Sequence, residues 1–166
     1  MFEIRNSRED DLDRMLEIYA YAREQMKLHG NPTQWITYPE RDLLEYDIRL
    51  GRSYVLESEG KVCGTFVFVT GDDPSYGIIE DGAWLNDHPY GTIHRIASDG
   101  TQRGILSEAV DFAFERVADI RIDTHGDNKV MQNALAKLGF AKCGTIYCID
   151  DVSDHSPRIA YQKTRG

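Results

Sequence analysis

His94-Arg95-Ile96-Ala97-Ser98-Asp99-Gly100-Thr101-Gln102-Arg103-Gly104-Ile105-Leu106 is the junction on which the reading of this chain turns. Gly91 to Ala97, leading into it, has strand character. An amphipathic helix follows Gly104, with Ile105, Leu106, Ala109, Val110, Phe112, Ala113 and Val117 on its buried side. Ile120 to Thr124 is a second strand. Strand, helix and strand form a βαβ crossover, which is right-handed with its two strands parallel. Such a junction suits a ligand, because unpaired backbone N–H groups and the helix dipole point there. Neither G-x-x-x-x-G-K-[ST] nor G-x-G-x-x-G is present. What remains is a strand ending in small residues, a polar glycine-containing turn and a cation. Backbone amides from Gln102 through Arg103, Gly104 and Ile105 to Leu106 could wrap a pyrophosphate, with Arg103 adding charge. The same composition also suits a plain strand-to-helix turn.

Upstream, Phe2 to Arg5 is a short strand. Ser7 and Asp10 form an S-x-x-D capping pattern ahead of a helical stripe of Leu12, Met15, Leu16, Tyr19, Ala22 and Met26. Gly30-Asn31-Pro32 stops that helix. Thr37 and Glu40 repeat the capping pattern with Pro39 in the first turn. Leu43, Leu44 and Ile48 give the next helix its apolar face, and Gly51 is placed as its C′ residue. Ser53 to Ser58 and Val62 to Thr70 make a hairpin across Glu59-Gly60. Tyr76 to Asp81 reads as another strand, and a loop with Trp84 and Pro89 separates it from Gly91 to Ala97. Downstream, Asn128 to Leu138 is a helix. Gly144 to Ile149 and Arg158 to Lys163 are strands around the polar turn Asp150 to Ser156. The order is β-αα-ββββ-α-β-α-ββ, one mixed α/β domain over residues 1–166 with a central sheet flanked by helices.

The 166 residues fit one domain, for which about 150 is typical. Nineteen basic residues against 28 acidic ones leave a net charge of −9. That balance argues against nucleic acid and anionic membrane as partners, since both select a basic face. It leans toward a cationic, amine-bearing partner, although acidity also serves solubility. Cys63, Cys143 and Cys148 cannot all pair and form no C-x-x-C unit, so neither a disulfide framework nor a structural zinc site is expected. The first ten residues are charged where a signal peptide would be apolar. No apolar run approaches the ~18 residues of a membrane span, and a cytoplasmic location is expected.

With these elements in order, the chain resembles the Gcn5-related N-acetyltransferase (GNAT) family. The strand-loop-helix around Gly104 is similar to that family's acetyl-coenzyme A motif. Ile120-Arg121-Ile122-Asp123 followed by Asn128 resembles its next strand and asparagine. Lys137-Leu138-Gly139-Phe140 matches its helix-ending K-x-G-F, and Arg158-Ile159-Ala160-Tyr161-Gln162-Lys163 resembles its final strand. The resemblance implies a GNAT-like fold in which the strand Gly91–Ala97 splays from Ile120–Thr124 to admit the pantetheine arm. It implies acetyl-coenzyme A as co-substrate, no metal, and direct attack by a primary amine. Backbone groups of Ile96, Ala97 and Ser98 would bind the arm and polarise the thioester, and Asn128 would contact the pantetheine while capping its helix. Three positions depart from the pattern. Thr101 stands where the phosphate loop carries Gln or Arg, Leu106 stands at its second small position, and Leu135 replaces the tyrosine that protonates the thiolate.

Tyr147, on the following strand, is the substitute acid candidate; the alternative is ordinary packing. His94, alternating with Thr92 and Ile96, reads either as a relay for the amine proton or as a hydrogen-bonded structural histidine. Glu80 and Asp81 with Trp84 could hold and deprotonate a cationic amine, or form a solvated turn beside a packed indole. Asp123 and His125 share a strand side and suggest a metal pair, but no third ligand is evident, and no metal is expected. Trp35 and Tyr38 are acceptor contacts by the resemblance and core residues by composition. The expected partner is a small-molecule amine or a peptide acceptor, with a homodimer left open. The expected function is transfer of acetyl from acetyl-coenzyme A to a primary amine, with a protein acceptor or a non-catalytic acyl-coenzyme A sensor as alternatives.

Overall fold

Alternation along Ser53–Ser58 sends neighbouring residues to opposite cores, and this two-sidedness organises the chain. The structure, a computed structural model, describes residues 1–32, 34–149 and 156–166. Its strands are β1 (Glu3–Asn6), β2 (Ser53–Ser58), β3 (Lys61–Thr70), β4 (Gly91–Ser98), β5 (Asp119–His125), β6 (Ala141–Tyr147) and β7 (Pro157–Thr164). The α helices are α1 (Leu12–Leu28), α2 (Arg41–Arg49), α3 (Ile105–Phe114) and α4 (Lys129–Lys137). The strands form one mixed sheet in the order β1-β2-β3-β4-β5-β7-β6. Val55 packs with α1 and α2 around Met15, Ile18 and Tyr19, whereas Leu56 packs with α3 around Phe66, Ala109 and Phe112. Helices therefore cover both faces of the sheet, as a mixed α/β chain requires.

The βαβ unit is present. Its strands β4 and β5 are parallel, but they pair only through Gly91 with Ile120 and Thr92 with Arg121. Beyond those residues they part. The β2–β3 hairpin turns at Glu59 (φ 53°) and Gly60 (φ 77°), the two left-handed residues that a tight hairpin wants. α2 ends at Arg49, with Leu50 as its C-cap and Gly51 left-handed beyond it. Asn128 caps α4, its side-chain oxygen accepting from the Met131 N–H at 3.0 Å.

Several expectations are corrected. Tyr76–Asp81 is not a strand, so the sheet has seven strands and not eight. Pro74 opens a 3-10 turn, Pro74–Tyr76, capped by the Asp73 carboxylate accepting from the Ser75 N–H. The chain beyond runs antiparallel beside β6, with one isolated bridge, Glu80 with Thr145, and the Ala83 N–H donating to the Cys143 carbonyl. The approach is so close that a Cβ on Gly82 would collide with the Cys143 carbonyl. Ser7 does not cap the first helix. It is buried against the Ser53 hydroxyl, and Asp11, not Asp10, takes the Arg8 N–H. Thr37 does not cap either: α2 begins at Arg41 with Glu40 as N-cap, which leaves Pro39 outside the helix. β6 starts at Ala141, three residues earlier than expected, because left-handed Gly139 ends α4 abruptly and Phe140 leads straight into the sheet. Of the expected polar turn, residues 150–155 lie outside the described residues. Among the described residues, no helix is long and apolar enough to cross a membrane.

The close approach to β6 sets a stability cost. Gly82→Ala is expected to cost about 1–3 kcal/mol through overpacking against backbone, read as a lower urea midpoint. An unchanged midpoint would show that the approach has slack.

Candidate active site

The parting of β4 from β5 has a local cause. Thr65 faces Ala97 and Val67 faces His94, so Phe66 of β3 opposes two residues, Arg95 and Ile96. This is a β-bulge, and Arg95 at its centre has φ 50°, a strained value for a residue with a side chain. Buried contacts hold it there. The Tyr19 hydroxyl donates to the Arg95 carbonyl at 2.6 Å. The guanidinium donates to the Asp47 carboxylate at 2.8 Å and to the Tyr38 hydroxyl at 2.6 Å. Asp47 is fully buried and also takes Arg52 at 2.7 Å. α1 and α2 thus grip the strand at the residue where it turns away from its neighbour.

The gap opens into a groove of about 410 Å³ between α1, α3 and α4. Ile96, Ala97, Ser98, Ile105, Leu106 and Asn128 line it, with Met26 and Met131. At one end lies the first turn of α3, whose N–H groups have no intrahelical partner. Gly104 precedes it as N-cap with φ 88°, a backbone state that glycine adopts without strain. The loop before it is braced by Asp99, which accepts from the Thr101 N–H at 2.9 Å and the Thr101 hydroxyl at 2.6 Å. At the other end the groove meets a smaller cavity of about 80 Å³, and Met26, Ile96, Asn128 and Met131 belong to both.

Polar groups from distant parts of the chain converge on this inner cavity. His94 Nε2 lies 2.8 Å from Asp73. Burial alone would raise the Asp73 carboxyl, but His94 and the Ser75 amide and hydroxyl outweigh it and hold it below the usual range. Because Asp73 is ionised near neutrality, it takes the hydrogen of Nε2, which leaves Nδ1 as the nitrogen that can act as a base. Across the gap, Asp123 accepts from the Tyr76 hydroxyl at 2.7 Å and from Arg158 at 3.4 Å. Burial, with Asp123 second, raises the Tyr76 phenol well above its ordinary value, so it remains a donor. Gln34 roofs the site by accepting from Asn128 at 3.0 Å.

The residues singled out from sequence divide into two groups. Trp35, Tyr38 and His94 line the inner cavity, while Ile96, Ala97, Ser98, Ile105, Leu106 and Asn128 line the groove. Gln102 faces a separate depression beside Ser58 and Lys61, and Arg103 is exposed. Glu80 is exposed and tied to β6 through its backbone, and Tyr147 is exposed at the end of β6. The Trp84 indole donates to the Tyr76 carbonyl and carries the Arg121 guanidinium on its face, outside the cavity. Leu135 is fully buried in the α3-side core. Asp123 and His125 do not form a metal pair with a third ligand; among the described residues no group of three His, Cys, Asp or Glu side chains is placed to hold an ion. The sequence reading missed Asp73, Tyr76, Gln34, Arg158 and the Arg95 bulge, and it placed Cys148 in a strand although it lines the cavity. The adjacent His94 and Arg95 break strand alternation, which is the one signal the bulge leaves in the sequence.

No family model and no curated protein matches this chain. Solved structures do. A GNAT-family acetyltransferase from Streptococcus agalactiae is 30% identical, with a TM-score of 0.88 over 99% of this chain and 96% of its own. A ribosomal-protein-alanine N-acetyltransferase from Brucella melitensis shares 23% identity at TM-score 0.63, covering 98% of this chain and 99% of its own. N-acetylglutamate synthase from Neisseria gonorrhoeae, complexed with coenzyme A and N-acetyl-glutamate, shares 14% at TM-score 0.63 over 100% of this chain and 35% of its own. The last two likenesses show the fold alone; the first makes the protein an acyltransferase by class. The chain belongs to the Gcn5-related N-acetyltransferase family.

Two predictions test the support of the site. Asp47→Asn leaves two guanidinium groups beside a neutral, buried amide and is expected to cost about 3–5 kcal/mol, read by urea unfolding; a loss below 1 kcal/mol would show that the grip is dispensable. The second concerns acid. Burial pushes Asp119 up, but hydrogen bonds from Thr164, Asn86, His88 and Gln162 hold it low, as Asp73 is held low. A carboxyl depressed in the fold contributes stability that is fully present above its unfolded value, about 3.9, and is lost as pH falls through the folded value. Urea midpoints should stay level down to about pH 4 and then fall, less steeply in Asp119→Asn. An identical acid slope in the variant would contradict this assignment.

Proposed function

We propose that the protein transfers an acetyl group from acetyl-coenzyme A to a primary amine by direct attack. The observation that carries the reading is the bulged parting of β4 from β5, which leads from the groove through the sheet to a cavity holding a base. Pantetheine would run along Ile96, Ala97 and Ser98, with the pyrophosphate at the amides opening α3. A coenzyme A-bound acetyltransferase of the same fold supports coenzyme A as the ligand. The carbonyl would sit at the bulge, where backbone N–H groups of a strand that has left its neighbour can meet the developing oxyanion.

The amine would enter from the α1/α2 face, beside Trp35 and Tyr38. Asp123 supplies negative charge for an ammonium, and His94, oriented by Asp73, takes the proton as the nitrogen attacks. The C–S bond then breaks and leaves the amide and the coenzyme A thiol. The net charge of −9 leans the reading toward a small cationic amine over an anionic acceptor, with Asp123, held between Tyr76 and Arg158, a carboxylate on the cavity lining. Groups held in place at both ends supply proximity, which is most of what aminolysis of a thioester needs.

Calorimetry with acetyl-coenzyme A, followed by thiol release across a panel of amines and peptides, tests the reading. His94→Gln is expected to lower the turnover rate about 10²–10⁴-fold with cofactor affinity unchanged, while Tyr147→Phe changes neither. Binding without thiol release from any acceptor would favour the acyl-coenzyme A sensor, and no binding would refute both.

A further inference from the structure

We infer that Thr124 is the hydrogen-bond donor to the coenzyme A sulfur, in place of the side chain that Leu135 does not provide. This rests on the groove being the coenzyme A site. Thr124 is fully buried, and its Oγ1 has no hydrogen-bond partner among the described residues. A buried hydroxyl left unpaired costs stability, and valine would fill the same β-branched volume in a strand without that cost. The position is therefore not explained by packing.

Its place in the fold supplies the missing partner. Thr124 lies on β5 three residues past Arg121, the last to pair with β4, and it lines the inner cavity with Ile96, Ile122, Asn128 and Met131. Successive strand residues point to opposite faces. Ile120 and Ile122 pack in the α3-side core, and Thr124 follows them to that face, from which the groove arrives. Asp123 points the other way, to Tyr76 and Arg158. The gap thus has an amine side and a sulfur side, and Thr124 is the hydroxyl of the sulfur side. α4 offers none there: Met131 and Ala134 face the groove, and Leu135 is buried in the core. When the C–S bond breaks, its electron pair goes to sulfur. Thr124 donates a hydrogen bond to that thiolate and keeps its proton. The proton that finally neutralises the thiolate is the one the amine lost, returned by His94 or water.

Coenzyme A itself is the probe, so no acceptor is needed. The thiolate of bound coenzyme A is followed by its ultraviolet absorbance across a pH titration in wild type, Thr124→Val and Thr124→Ser. The charged and titratable groups lining the cavity, Tyr38, His94, Arg95, Asp123, Cys148 and Arg158, are the same in all three. Thr124→Val is expected to reduce the thiolate fraction about tenfold at a given pH, as for the loss of a hydrogen bond to a charged group. Thr124→Ser should restore it, and the total affinity for desulfo-coenzyme A should not change. Unliganded Thr124→Val should melt no lower than wild type. An unchanged thiol titration, or a valine variant that melts lower, overturns the assignment while the groove reading stands. Failure of wild type to bind coenzyme A overturns both.

Discussion

The buried pairing of Arg95 with Asp47 is the constraint on which the rest of the site depends. A strand in a sheet gains a hydrogen bond for nearly every residue it keeps in register, so β4 has reason to follow β5 along its whole length. It follows for two residues only. The left-handed turn at Arg95 breaks the register, and the cost is met by a guanidinium that satisfies a fully buried carboxylate and by a tyrosine hydroxyl on the strained residue's own carbonyl. Ion pairs of this kind add little net stability compared with apolar packing, but they fix geometry, because leaving either partner alone in the interior is expensive. Here the geometry so fixed is a gap through a sheet.

The gap divides labour between the two faces. On the α3 and α4 side the lining is mostly apolar, with amides at the helix start for a phosphate chain. On the α1 and α2 side carboxylates, an imidazole and tyrosine hydroxyls are interlinked. Alternation along a single strand produces this contrast, since Ile122 and Thr124 look one way while Asp123 looks the other. The catalytic demand is modest, for a thioester already activates its carbonyl, and the protein has to hold two reactants, one base and one place for negative charge.

How much of this was legible before the fold was known depended on the range of the interactions involved. The hairpin at Glu59-Gly60, the helix stop at Gly30, the cap at Asn128 and the βαβ unit are local, and each is set by residues within a few positions of one another. The groove residues Ile96 to Ser98 and Ile105 to Leu106 were legible for the same reason, with the family resemblance adding their meaning. Glu80, Trp84 and Tyr147 stand out in the sequence by chemical type and by nearness in the chain. The structure puts their side chains outside the cavity, because the segment after Pro74 runs beside β6 with a single bridge instead of adding a strand next to β4. Asp73 lay unremarked in a turn, and Arg158 at the start of the last strand had no local pattern to distinguish it.

The sequence by itself determined the order of elements apart from the strand expected over Tyr76–Asp81, the two apolar faces of the sheet and the glycine that opens α3, since hydrophobic period and turn chemistry act over a few residues. It also set the negative charge. Only the tertiary structure decided how Arg95 is held where β4 leaves β5, that His94 meets Asp73 and that Tyr76 and Arg158 share Asp123. Those contacts join residues 21 or more positions apart, and a pairing over that distance exists only once the chain has closed around it.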